Sequence, residues 1–340
     1  MTSKIELRIC SFDKLRMSII APARRKRPKI VMGMEKRERT EVVCPFCPGR
    51  EEETPPATLV LLVKNGRLLF EKEHNGRIKN WVVRVFPNKY PALVNKAEMM
   101  SSEFSAYGYH EVLVETPIHS EEKYLLNPVN VYYMLIALRR RIEEIMKDPR
   151  IEHISVIKNA GLRAGASIGH PHLQILANTF TPPIISAEEH AMEEYFEKHK
   201  VCPLCEIFSN SSSSRTVFTT EFFKVETMYA PKQPYELLVV PKKHTCSITN
   251  ASNEELKDLA NVLSKTLLLI RKTLGNIDYN YWFHLGSKGA SVYHWHIEIQ
   301  PIIETWGGYE KSSGIYIVTV PPEDAAKEFR ENMQKLDYQV

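Results

Sequence analysis

Gly165-Ala-Ser-Ile-Gly-His170-Pro-His172 and, further along, Gly289-Ala-Ser-Val-Tyr-His294-Trp-His296 spell one pattern, Gly-Ala-Ser-x-x-His-x-His, twice in a single chain. Working back from each copy, an apolar run with strand character ends in a histidine. In the first half it reads Glu111-Val-Leu-Val-Glu-Thr-Pro-Ile-His119, and in the second Glu236-Leu-Leu-Val-Val-Pro-Lys-Lys-His244. The spacing recurs as well: His170 follows His119 by 51 positions, and His294 follows His244 by 50. Such self-similarity marks two copies of one unit. At 340 residues the chain is also long for a single hydrophobic core.

Between the repeated strands, Val131, Met134, Leu135, Leu138, Ile142 and Ile145 fall at helical spacing, which predicts a helix from Pro128 to about Lys147. The counterpart in the second half runs from Ser252 to about Thr273, with Ser252 as N-cap and Glu255 completing a capping box. The segments Leu59 to Phe70 and Trp81 to Phe86 supply further strands. Strands, a helix and a strand pair ending in His-x-His make each half an α+β unit.

Four of the six cysteines form the pairs Cys44-Pro-Phe-Cys47 and Cys202-Pro-Leu-Cys205. A zinc ion takes four thiolate or imidazole ligands in a tetrahedron, often two from a Cys-x-x-Cys turn and two from elsewhere. Each half holds that inventory: Cys44, Cys47, His119 and His170 in the first, and Cys202, Cys205, His244 and His294 in the second. Two zinc ions per chain are therefore expected, each structural and each fixing the strand that presents the second histidine of its His-x-His.

Composition narrows the partners. A net charge of +4, with 43% hydrophobic and 25% charged residues, describes a soluble globular protein without the concentrated basic field that nucleic-acid binding needs. By itself Arg24-Arg25-Lys26-Arg27 reads as a solvated loop. No apolar stretch reaches the about 18 residues of a membrane-spanning helix, and the start of the chain lacks a secretory apolar core. A cytoplasmic protein that contacts neither membrane nor nucleic acid is expected.

The run from Asn159 through Ser167, His170-Pro-His172 and Gln174 brings together a nucleophile, small residues that admit close approach, and hydroxyl and amide donors for phosphate oxygens. With Ala23-Arg-Arg-Lys-Arg-Pro28, Phe86-Pro-Asn88-Lys-Tyr-Pro91 and His119, it resembles the galactose-1-phosphate uridylyltransferase family of the histidine-triad superfamily across nearly the whole chain. The resemblance implies two tandem histidine-triad-like units, 1–195 and 196–340, each a mostly antiparallel sheet with helices packed on it. It implies ping-pong transfer from UDP-glucose to galactose 1-phosphate, in which His172 carries the uridylyl group, Gln174 holds the intermediate and Ser167 contacts the phosphates. Substrate binding would fall to Arg24, Arg27, Asn88, Asn159 and Gly165. Lys311 would lie in the Trp306–Tyr316 segment that grips the sugar phosphate, and the enzyme would be a homodimer.

The second half departs from this pattern. Trp295 and Glu298 stand where the first half has Pro171 and Gln174, so His296 is expected to be structural or a rim residue and not a nucleophile. Some relatives place iron there on a glutamate and three histidines, matched here by Glu188, His284, His294 and His296; the second cysteine pair instead claims His294 for zinc. That pair, and Tyr309-Glu310-x-x-x-Gly314, resemble relatives that act on adenylyl sugars and inorganic phosphate. An ADP-sugar phosphorylase is therefore an alternative. A histidine-triad hydrolase is another, opposed by Gln174 where hydrolases carry a third histidine.

Overall fold

The computed structural model describes residues 5–26, 44–95, 106–209 and 213–337. The first half contributes strands β1 (Glu6–Ile9), β2 (Met17–Ile20), β3 (Leu59–Lys64), β4 (Arg67–Glu71), β5 (Val83–Pro87), β6 (Gly108–Val114), β7 (His153–Ala160) and β8 (His172–Asn178). Its helices are α1 (Glu121–Leu125), α2 (Pro128–Ile145) and α3 (Pro183–His199). The second half adds α4 (Pro203–Ser209), β9 (Thr216–Thr219), β10 (Phe223–Thr227), β11 (Leu237–Pro241), α5 (Asn253–Leu274), β12 (Tyr279–His284), β13 (His296–Pro301), α6 (Gly308–Ser313), β14 (Ile315–Val318) and α7 (Pro322–Asp337).

Eleven strands form one sheet in the order β4-β3-β5-β6-β8-β7-β12-β13-β11-β10-β9. Every pairing within it is antiparallel. The repeat is visible in that order, since β6-β8-β7 and β11-β13-β12 run outside-in toward the seam where β7 pairs β12, Asn159 opposite Asn280. A three-stranded sheet, β1-β2-β14, joins the two ends of the chain: Met17–Ile20 runs parallel to Ile315–Val318. Residues from the start of the 1–195 unit thus pack beside the 196–340 unit.

Alternation along the strands separates two layers, because successive side chains leave a strand on opposite faces. Leu113, Leu173, Ile175 and Ala177 join Val131, Met134, Leu135 and Leu138 of α2 and Leu256, Leu259, Leu263 and Leu267 of α5 in the main core. On the other face, Val112 and Val114 pack with Cys44, Phe46 and Phe86 in a smaller cluster. His172 and Gln174, which alternate with Leu173 and Ile175 along β8, therefore share the face that α2 and α5 leave free.

Helix limits follow their capping residues. Asn127 accepts from the Val129 amide ahead of Pro128, whose missing N–H costs nothing at the first position. At α5, the Glu255 amide donates to Ser252 Oγ over 3.1 Å while Glu255 Oε2 accepts from the Ser252 amide at 2.6 Å. Two expectations shift. The Leu59–Phe70 strand is a hairpin, turned at Asn65-Gly66 with φ of 49° and 74°, the left-handed pair a two-residue type I′ loop demands. Neither His119 nor His244 ends a strand: β6 stops at Val114 and β11 at Pro241, and Pro117, which has no N–H, stands in the connection that carries His119 toward α1.

Removing the α5 cap gives a direct test: Ser252→Ala is expected to cost about 1 kcal/mol and Ser252→Asp much less. Urea denaturation followed by circular dichroism measures both.

Candidate active site and metal centres

His172 opens β8, and its Nδ1 donates to the His170 carbonyl over 2.7 Å. That bond places the proton on Nδ1 and leaves the Nε2 lone pair free, the tautomer a histidine nucleophile requires. The Phe46 ring stands edge-on to the imidazole, centroids 5.3 Å apart. Burial pushes the His172 pKa down, and Lys158 adds to the effect, while the bond to the His170 carbonyl and the charge of Glu121 oppose it. Lys158 is itself buried, 2.6 Å from Glu115 and 2.8 Å from Glu121; burial would lower its pKa, yet the two carboxylates hold it above the usual value.

His172 faces a cleft of about 760 Å³ that Ser167, Gln174 and Asn88 also line, together with Phe46, Phe86 and Tyr90. Period-two alternation puts Gln174 on the same face as His172. His110, which the sequence pattern did not single out, reaches into the cleft from β6, its Nε2 2.8 Å from Gln174 Oε1. Its alternation with Val112 and Val114 was the available signal, but the β6–β8 register that brings it to Gln174 is not written in either strand.

Other expected residues lie elsewhere. Asn159 is tied to the second half, its Oδ1 accepting from Asn280 Nδ2 at 2.7 Å, and Gly165 forms the following turn at φ +90°. Neither is among the described residues that line the cleft, and neither are Arg24 and Lys311, which are exposed on a short 3₁₀ turn and on α6. Arg27 lies outside the described residues.

Each expected cysteine–histidine set is assembled, its four ligand atoms within 4.8 Å of one another. Cys47 Sγ stands 3.4 Å from His119 Nδ1 and 3.6 Å from His170 Nδ1. Cys205 Sγ stands 3.4 Å from His244 Nδ1 and 3.5 Å from His294 Nδ1. Metal–sulfur bonds of about 2.3 Å and metal–nitrogen bonds of about 2.0 Å put such atoms about 3.5 Å apart in a tetrahedron, so both sets fit a four-coordinate ion. His170 Nε2 donates to the Thr116 carbonyl over 2.7 Å and His294 Nε2 to the Pro241 carbonyl over 3.0 Å, which leaves each Nδ1 as the ligand atom. Burial pushes the His170 pKa down to about 4, holding it in its neutral, ligating form.

The four-residue iron set named from the resemblance is not formed as written. His294 goes to the thiols, while Glu188, His284 and His296 are grouped with Glu298. His296 is fully buried and so not at a rim. Phe12 stands edge-on to it at 5.3 Å, the place Phe46 takes beside His172. Glu298 presents no free anion to a phosphate either: it is ion-paired with the buried Arg16 and accepts from Trp282 Nε1 at 2.9 Å. Arg16 holds its carboxyl well below the usual range against the opposing effect of burial.

A family model described as "Scavenger mRNA decapping enzyme C-term binding" matches residues 201–307. ADP-glucose phosphorylase of Arabidopsis thaliana is 32% identical over 331 residues, 93% of this chain and 90% of its own. Galactose-1-phosphate uridylyltransferase of Thermotoga maritima is 28% identical over 265 residues, 72% of this chain and 83% of its own. Among solved structures, an ADP-glucose phosphorylase from Arabidopsis thaliana with bound ADP-glucose superposes with a TM-score of 0.83 at 31% identity, covering 96% of this chain and 98% of that one. A uridylyltransferase structure superposes at 0.74 with 25% identity, covering 97% and 99%.

Because burial, the first cause, depresses the His172 pKa, its imidazole is expected to stay neutral as pH falls through the ordinary value of about 6.5. Imidazole-labelled protein compared with His172→Asn by NMR identifies the signal; a midpoint at or above 6.5 would contradict the assignment.

Proposed function

The chain belongs to the galactose-1-phosphate uridylyltransferase family within the histidine-triad superfamily, as an enzyme of the hexose-1-phosphate nucleotidyltransferase type, and from that premise we propose that it transfers an adenylyl group between an ADP-sugar and inorganic phosphate. The single observation that carries the choice of nucleotide is whole-chain likeness to ADP-glucose phosphorylase, at 32% identity over 93% of the chain. This favours the adenylyl alternative over the uridylyl exchange expected first.

In the proposed reaction His172 Nε2 attacks the α-phosphorus of the ADP-sugar, forming a nitrogen–phosphorus bond as the bridging oxygen leaves with the sugar 1-phosphate. A phosphate oxygen then attacks the same phosphorus, breaks that bond and releases ADP. The neutral imidazole with its Nδ1 proton held by a backbone carbonyl is suited to both steps. Gln174 and Ser167 would donate to the phosphate oxygens in the cleft. Uridylyl transfer is the second possibility, supported by the likeness to the Thermotoga maritima enzyme. Hydrolysis is disfavoured because Gln174 cannot protonate a leaving group as a third histidine would.

We assign zinc to both cysteine–histidine sets on their ligand types and separations. Zinc there would anchor the strand start that presents His172 without touching the phosphates. Arg24, Arg27, Asn159, Gly165 and Lys311 are proposed substrate contacts by family resemblance, and a homodimer is proposed on the same ground. Among the described residues, no helix is long and apolar enough to cross a membrane.

Intact-protein mass after mixing with ADP-glucose, and separately with UDP-glucose, tests the nucleotide. An adenylyl adduct absent from His172→Ala and discharged by phosphate is expected; a uridylyl adduct discharged only by a sugar 1-phosphate would replace this assignment with the second. Metal analysis is expected to return two zinc ions per chain, with Cys47→Ser and Cys205→Ser each losing one. Fewer than one per chain would reject the two-site assignment.

A further inference from the structure

We infer that His110 is a positioning residue for the transfer, one that turns the Gln174 amide so that its NH₂ group, and not its oxygen, faces the phosphate on His172. The inference rests on the nucleotidyl-transfer function proposed above and deepens it.

Strand pairing sets the geometry. Val112 lies opposite Gln174 and Val114 opposite His172 across β6 and β8. His110, two residues before Val112, shares their face and is the diagonal neighbour of Gln174, within reach of a long side chain. An unaided glutamine amide has no preferred orientation, because its oxygen and nitrogen ends are nearly the same shape. Only the hydrogen-bond network can choose.

Here the network begins at the backbone. The Ala92 amide donates to His110 Nδ1 over 3.0 Å, so Nδ1 is an acceptor and the imidazole proton sits on Nε2. His110 Nε2 therefore donates to Gln174 Oε1, 2.8 Å away. Asn88 cannot take that proton: its Oδ1 accepts from the Tyr90 amide at 2.9 Å, and its Nδ2, 3.1 Å from His110 Nε2, is itself a donor, so in this tautomer that approach is a contact and not a hydrogen bond. With its oxygen engaged, Gln174 keeps Nε2 as its free end, and that nitrogen has no protein partner among the described residues. A backbone N–H thus dictates, through one ring, that a donor waits where negative charge develops on the phosphoryl oxygens.

A double-mutant cycle on adduct formation from ADP-glucose, measured in single turnovers, tests the inference. His110→Ala is expected to slow formation about 10- to 100-fold with little change in the sugar-nucleotide concentration at half-maximal rate. In a Gln174→Ala background the same change is expected to cost less than about threefold, because the two residues act as a unit. His110→Gln, whose amide nitrogen reaches about as far as the ring nitrogen, should recover part of the rate. Losses that multiply in the double variant, or an unimpaired His110→Ala enzyme, overturn the inference. Nitrogen-15 NMR of histidine-labelled wild-type protein reads the proton without turnover: it is expected on Nε2 of His110, and a proton on Nδ1 overturns the inference even if the variants fail to fold. Wild-type protein that shows this tautomer but forms no adduct would reject the reaction while supporting the grip on Gln174.

Discussion

Two backbone carbonyls decide what the two histidines of His170-Pro-His172 do. The Thr116 carbonyl takes the Nε2 proton of His170, and the His170 carbonyl takes the Nδ1 proton of His172. Neighbouring imidazoles on one short segment are thereby forced into opposite tautomers, one presenting Nδ1 to two thiols and the other presenting Nε2 to the cleft. Each bond is short and buried, where an unmade partner is costly, so the assignment is robust. The candidate metal ligand and the proposed nucleophile are two outcomes of one local geometry.

The second half repeats that geometry and puts it to another use. His294 Nε2 donates to the Pro241 carbonyl, and His296 Nδ1 to the His294 carbonyl over 3.1 Å. What differs is the space in front of the second imidazole. His172 lines the cleft, whereas His296 has no exposed surface and its neighbour Glu298 is paired with the buried Arg16. A guanidinium with no exposed surface is tolerable only when paired, and Arg16 also has Glu236 at 2.9 Å. The N-terminal segment is thus locked over the second half by charge as well as by the β1-β2-β14 sheet.

Legibility followed the range of the interaction. The helices were readable because their apolar stripes and caps are local: Ser252 and Glu255 are three residues apart. Both cysteine–histidine sets were readable because the chain carries them twice, and repetition supplies the long-range information that a single Cys-x-x-Cys lacks. Phe12 and Arg16 were not readable as partners of His296 and Glu298, which lie more than 280 residues away with no pattern linking them. His110 was hidden for a related reason. Its face follows from alternation, but its partner follows from register, and register between β6 and β8 is set by the whole sheet.

The choice of nucleotide separates along the same line. His172, Gln174 and Ser167, the proposed phosphate contacts, would meet groups that ADP-sugars and UDP-sugars present alike, so a motif built from them is indifferent to the base. In the proposed reaction base selection would fall to the cleft walls, where Phe46, Phe86, Asn88, Val112 and Ile168 arrive from four separate stretches of chain. Phe46 and Phe86 stand edge to face at 5.7 Å and form an apolar wall beside the phosphate-facing groups. A surface assembled from such scattered positions is conveyed by likeness over the whole chain and not by any short run, and for that reason the 93% coverage by an ADP-glucose phosphorylase bears on the base more than the His-Pro-His-x-Gln motif does.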